Sequence, residues 1–201
     1  MTETAESLAP EIAACRLCSD RFDGTPTAHR PRPVVWLSSR APVMIASQAP
    51  GARAHASGLP FDDPSGDRLR AWLGVDRQTF YDRDNFAILP MAFCFPGYDR
   101  TGSDLPPPAL CATTWRARAL KAQPGMRLTL LIGGHAQRWH LGRAATFVTA
   151  TVGAWRSFGP DIIPLPHPSW RNTAWLKKHP WFETDLVPVL RARVSKLITR
   201  R

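Results

Sequence analysis

Four short runs of apolar residues recur along the chain, each closed by glycine, proline or a polar turn: VMIAS at 43–47, FAILPM at 86–91, LTLLIG at 128–133 and DIIPL at 161–165. Side chains that are apolar at successive rather than alternate positions suit strands covered on both faces, as in a parallel sheet between helices. Helical spacing of apolar positions fills the intervals, over 65–73, 76–81, 108–122, 134–141 and 182–197. Alternation of strand and helix predicts the α/β class, as a three-layer α/β/α sandwich around a central four-stranded parallel sheet. Sheets of this kind bind ligands at the carboxyl ends of their strands. The unusual residues of this chain fall at those ends, at 48–51, 90–94, 133–135 and 166–172. The last helical stretch, LVPVLRARVSKLITRR, carries an apolar stripe through Leu186, Leu190, Val194 and Leu197 and predicts a basic surface helix packed on the sheet.

At 201 residues with 44% hydrophobic content, the chain reads as a single domain over 1–201. Twenty prolines, gathered at 26–50, 90–108 and 160–188, predict long rigid loops with functional roles. The formal net charge of +10 points to a polyanionic partner, nucleic acid first, because clustered Lys and Arg release the counterions condensed on phosphates. The N-terminal MTETAESLAP is acidic and lacks the apolar core of a signal peptide, and no run approaches the roughly 18 apolar residues of a membrane span. A cytoplasmic protein with no membrane partner is expected.

The four cysteines read C-x2-C at Cys15 and Cys18, then C-x16-C at Cys94 and Cys111. Disulfides are improbable in a reducing compartment. The close pair can chelate from one turn, while Cys94 leaves a strand and Cys111 opens a helix. Four thiolates could therefore converge on a metal and tie an irregular N-terminal segment to the body; separate burial of four small apolar side chains is the alternative. Spacing alone does not choose between zinc and a [4Fe-4S] cluster.

Taken in order, these motifs resemble the uracil-DNA glycosylase superfamily, most closely its iron-sulfur-containing branch, family 4. QAPG at 48–51 is similar to the GEAPG motif of that branch, and GLPF at 58–61 followed by SG at 65–66 to its GxPFxG…G segment. The cysteines follow the order of its cluster ligands, and HPS at 167–169 resembles the superfamily's closing histidine loop. The resemblance implies a structural [4Fe-4S] cluster on the four cysteines, with zinc the lesser alternative. It also implies hydrolysis of the N-glycosidic bond of uracil flipped from double-stranded DNA, by a monomer. Two departures are specific. Pro90 stands where the branch has the asparagine that reads uracil, and Ala49 where the most efficient enzymes carry a water-activating aspartate. Hypoxanthine or xanthine as the excised base, and a damage-binding module without catalysis, are the alternatives this leaves.

Roles follow from the chemistry that base release needs. Phe61, behind Gly58 and Pro60, is expected to stack on a flipped base in a pocket formed with Ala49, Pro50, Gly51 and Pro90. His167 is expected to stabilise the leaving base anion as an oxyanion hole does. With Ala49 unable to act as a base, Asp63, Asp62 and Gln48 are the candidates near sugar and water, although DDPSG also has the character of a helix cap. In the segment 164–183, Trp170 or Arg171 is expected to wedge into the duplex, and Arg171, Lys177 and Lys178 to hold phosphates beside Ser169 and Asn172. Trp181 and Phe182 are expected to pack on the body. GGH at 133–135 is either a phosphate-binding helix start or a tight turn.

Overall fold

The computed structural model describes residues 3–199. Four parallel strands, β1 (Val43–Ala46), β2 (Phe86–Ile88), β3 (Leu128–Ile132) and β4 (Ile162–Leu165), form one sheet in the order β2-β1-β3-β4. The register pairs Met44 with Ala87 on one side and with Thr129 on the other, and Leu131 with Pro164. All four strands coincide with the predicted runs; β1, β2 and β3 end one to three residues early, and β4 starts one residue late. β2 is shortest because Pro90 brings no N–H to the ladder, yet Leu89 and Met91 still donate to Ile45 and Ser47 and carry the chain along β1.

The helices are α1 (Ala5–Ala13), α2 (Ser19–Asp23), α3 (Ala52–Ser57), α4 (Pro64–Leu73), α5 (Arg77–Phe80), α6 (Ala109–Lys121), α7 (Gly133–Leu141), α8 (Val148–Gly153), α9 (Thr173–Lys178) and α10 (Val187–Ile198). Successive side chains of a strand point to opposite faces, and this sorts the core into two layers. Val43 and Ile45 face one side with Leu130 and Ile132, against Leu69 and Leu73 of α4 and Leu190 and Val194 of α10. Met44, Ala46 and Leu131 face the other side, against Leu8 and Ile12 of α1, Ala119 of α6 and Ala136 of α7. The observed architecture is thus the predicted three-layer sandwich. Along the C-terminal stripe, Leu186, Leu190 and Val194 are fully buried and Leu197 is partly so.

The N-terminal segment is not irregular. Thr4 and Ser7 form a reciprocal capping box on α1, and Leu8 and Ile12 are fully buried. Arg118 of α6 pairs with Glu3 at 2.6 Å and with Glu11 at 2.5 Å, so α1 is held to the body by packing and charge. Among the described residues no helix is long and apolar enough to cross a membrane.

Candidate functional site

The loops at the carboxyl ends of the strands surround a cleft of about 760 Å³. Its first wall is the chain after β1, Gln48 to Gly51. A Cβ added at Gly51 would meet only the Asp63 Oδ2, at 3.9 Å. Nothing in the protein therefore excludes a side chain there, and the missing one leaves its space to the cleft.

The second wall is the turn into α4. Phe61 adopts φ +56°, a left-handed conformation that costs an L-residue roughly 1–2 kcal/mol. The surroundings impose it: Tyr81 Oη donates to the Pro60 carbonyl at 2.9 Å, and the Phe61 ring meets Phe80 edge-on, centroids 6.2 Å apart. The side chain packs partly against the core while the residue lines the cleft. Asp63 caps α4, its Oδ1 accepting from Gly66 N at 2.8 Å, and its Oδ2 turns toward Gly51. Asp62 goes elsewhere. Its carboxylate accepts from Arg77 at 2.8 Å, and this hydrogen bond is the main cause holding its pKa below the usual value. The expectation that Asp62 contacts substrate does not match this placement, because an aspartate committed to an arginine on α5 stands off the cleft wall.

The third wall is Pro90, held by an unusual device. Arg116 of α6 is 1% exposed and donates to the carbonyls of Leu89 at 3.1 Å and Pro90 at 3.0 Å. Its guanidinium also meets His140 Nε2 and stacks over Trp139. Burial lowers the Arg116 pKa to about 10, and burial followed by the Arg116 charge pushes His140 down to about 3, so His140 is neutral. At this strand end the carbonyls of Leu89 and Pro90 accept from Arg116, and the N–H groups of Met91 and Ala92 donate to the carbonyls of Ser47 and Gln48.

His167 closes the fourth side, after β4. Ser169 N donates to its Nδ1 at 3.2 Å, which fixes the neutral tautomer with the proton on Nε2. Asn172 Nδ2 donates to the His167 carbonyl at 2.7 Å. Arg68 of α4 reaches across to the Ser169 carbonyl at 2.9 Å and to Thr173 Oγ1 at 3.3 Å. Burial pulls the His167 pKa below 6.5, against an opposing effect of Asp63 and Asp104. Gly133, at φ +77°, opens α7 close beneath the ring, and His135 in the first turn reaches the cleft.

Ser169, Trp170, Arg171 and Asn172 all line the cleft, and the Trp170 side chain is 75% exposed at its rim. Lys177 and Lys178 are exposed at the end of α9, beyond the cleft wall. As expected, Phe182 is buried, with Trp181 packed partly against the core. Sequence reasoning missed Arg68 and Arg116, whose roles arise from contacts distant along the chain. It also missed Tyr98 and Asp104, which enter the cleft from the loop after Cys94.

On the far side of that loop, Cys15, Cys18, Cys94 and Cys111 line one small apolar cavity with Phe22, Phe93 and Trp115. None of the four is in a disulfide. Burial, then the neighbouring Cys111, pushes Cys94 up to about 12; burial raises Cys111 to about 11, and burial with the nearby Cys15 raises Cys18. Among the described residues no three His, Cys, Asp or Glu side chains are already gathered as a cage for a single metal ion. Burial thus favours the neutral form of Cys18, Cys94 and Cys111, and a bound metal group would, by its positive charge, let the cysteines ionise.

Residues 35–191 match the family model of the uracil DNA glycosylase superfamily, a span that includes every wall of the cleft.

Proposed function

The chain belongs to the uracil DNA glycosylase superfamily, whose chemistry is hydrolytic release of a base from DNA, and we propose that this protein is a monofunctional enzyme removing uracil from double-stranded DNA. The observation that carries the reading is His167, a neutral Nε2–H donor fixed over a cleft whose opposite walls are the Phe61 ring and the bare backbone of Gly51. Extruding the nucleotide costs a few kcal/mol, and stacking on Phe61 returns roughly 1–3 kcal/mol. As the C1′–N bond breaks, its electron pair moves onto the base, and His167 Nε2–H donates to the carbonyl oxygen where that charge collects. The free Oδ2 of Asp63 faces the sugar, where positive charge develops, and the Gln48 amide orients water. Trp170 fills the gap left in the base stack, while Arg171, Lys177 and Lys178 neutralise phosphates beside it.

Asp63→Asn separates chemistry from capping. Asparagine caps a helix about as well as aspartate, so the melting temperature is expected to hold while the single-turnover rate falls about tenfold, close to 1.4 kcal/mol in barrier. A rate within twofold of wild type would remove Asp63 from the mechanism.

The same reading places a [4Fe-4S] cluster on Cys15, Cys18, Cys94 and Cys111, in a monomer acting in the cytoplasm. What supports the cluster is that all four cysteines line one cavity. When bound, such a group cross-links the start of α2 to the start of α6 and to the turn after β2. Protein purified without oxygen is expected to be brown, with a broad visible absorbance band. A colourless protein with one zinc per chain would replace iron by zinc, and absence of both metals would overturn the site.

Pro90 favours a second reading, release of hypoxanthine or xanthine, because proline brings no side-chain amide to the wall where uracil would be read. Duplexes carrying uracil, hypoxanthine or xanthine, cleaved with alkali after incubation, distinguish the two. Strand scission at uracil is the expected result; scission only at a purine would favour the second. Retained binding with no scission on any substrate would make the protein a damage-binding module.

A further inference from the structure

The chain between Cys94 and α6 folds into a short tongue over the cleft. Asp99 N donates to the Ser103 carbonyl at 2.8 Å and Leu105 N to the Gly97 carbonyl at 2.9 Å, and between them Tyr98 and Asp104 pair as an antiparallel bridge. The tip is closed by Asp99, whose Oδ1 accepts from Thr101 N, Thr101 Oγ1 and Ser103 N at 2.7–2.9 Å. The base is anchored by His29 Nε2 against the Phe95 carbonyl at 2.9 Å and by the Phe95 ring edge-on to Tyr98. Gly102, Asp104 and Pro106 line the cleft. This alternation of an extended chain turns the Asp104 side chain inward.

Asp63 and Asp104 line the cleft, with Asp62 and Asp99 on the segments that carry its walls, and three of the four are committed: Asp62 to Arg77, Asp63 through one oxygen to the α4 cap, and Asp99 to the tongue's own turn. The Asp104 carboxylate makes no hydrogen bond or ion pair among the described residues, and its field reaches His167. In a chain of net charge +10 that binds a polyanion, an unpaired carboxylate on the binding face repels phosphate and weakens association. It is useful only where positive charge or a proton appears during the reaction.

We propose that Asp104 is a second catalytic carboxylate, presented by the tongue to hold the attacking water on the sugar side of the cleft. This assignment rests on the glycosylase reading above. The water oxygen bonds to C1′ as the C1′–N bond breaks and its electron pair passes to the base. Asp104 accepts the proton that the water loses and returns it to solvent, and the base anion takes one proton from solvent, so one water is consumed per base released. The role that Ala49 cannot fill is thereby supplied from a different loop.

Asp104→Asn keeps the size of the side chain and the backbone bridge with Tyr98. Its single-turnover rate on the substrate found by the alkali assay is expected to fall at least tenfold, while its Kd for a duplex holding a tetrahydrofuran abasic analogue stays equal or tightens. A structural role for Asp104 would instead weaken that binding along with the rate. Equal rates for wild type and Asp104→Asn would overturn the proposal and leave the glycosylase reading intact, as would joint loss of rate and binding. No base release by the wild type would overturn the glycosylase reading, and this assignment with it.

Discussion

Replacement of His167 by alanine is expected to slow base release by about 10²–10³-fold, roughly 2.7–4 kcal/mol of barrier, the usual loss on removing one preorganised donor to a developing anion. The donor is preorganised in a literal sense. Ser169 N occupies Nδ1, Asn172 holds the carbonyl behind the ring, and Arg68 pins the loop from α4, so Nε2–H is already aimed when the base arrives. Binding of an abasic duplex, which has no base to stabilise, is expected to change little. A rate within tenfold of wild type, with the fold intact, would move the electrostatic role elsewhere. The pH profile gives an independent check. The His167 pKa lies below 6.5 in the folded protein, chiefly because burial disfavours the charged form. The neutral tautomer therefore persists to more acidic pH than for a free histidine. The His167-dependent part of the rate is expected to be flat above pH 6.5 and to fall only as pH drops through that lowered value, where protonating Nδ1 would break its bond with Ser169.

How much of this was legible in the sequence follows the range of the interactions. The strands were readable because burial on both faces leaves an unbroken apolar run, and the stripe of α10 because one face meets the sheet. Gln48 to Gly51, Pro90 and His167 were readable as a set because parallel strands bring their carboxyl ends together whatever the intervening lengths, while Phe61 and Asp63 were readable from the Gly- and Pro-rich turn that carries them and its resemblance to a known motif. Asp62 and Asp63 are neighbours of identical composition, and only tertiary structure separates them: one turns to Arg77, the other caps α4. Arg116 was hidden for the same reason, since nothing local in TTWRARAL marks an arginine that will be buried against the carbonyls of Leu89 and Pro90. Helix α1 was missed because an acidic, proline-containing stretch reads as a tail until Leu8 and Ile12 are seen buried against α6 and the sheet.

Gly66→Ala is expected to be the most disruptive single-methyl change in the molecule. A Cβ at this position would stand 1.8 Å from the Phe61 carbonyl oxygen and 2.7 Å from its carbon, far inside van der Waals contact. The clash has no soft exit. Phe61 is already in the left-handed region, Tyr81 holds the preceding carbonyl, and Gly66 N is tied to Asp63 by the α4 cap. Relief requires either giving up that cap, about 1 kcal/mol, or moving the Phe61 turn, and overpacking of this kind costs roughly 1–3 kcal/mol or more. Either route displaces Phe61 and Asp63 together. Since a misplacement of about 1 Å can cost 10² in rate, base release is expected to fall by at least that factor, alongside a lowered melting temperature. Gly153→Ala is the control: it ends α8, a Cβ there meets nothing within 4 Å, and alanine is the better helix former by up to about 1 kcal/mol, so its melting temperature is expected to hold or rise. If Gly66→Ala instead melts and reacts like wild type, the pocket does not depend on the Phe61 turn, and the stacking wall must be sought on another loop.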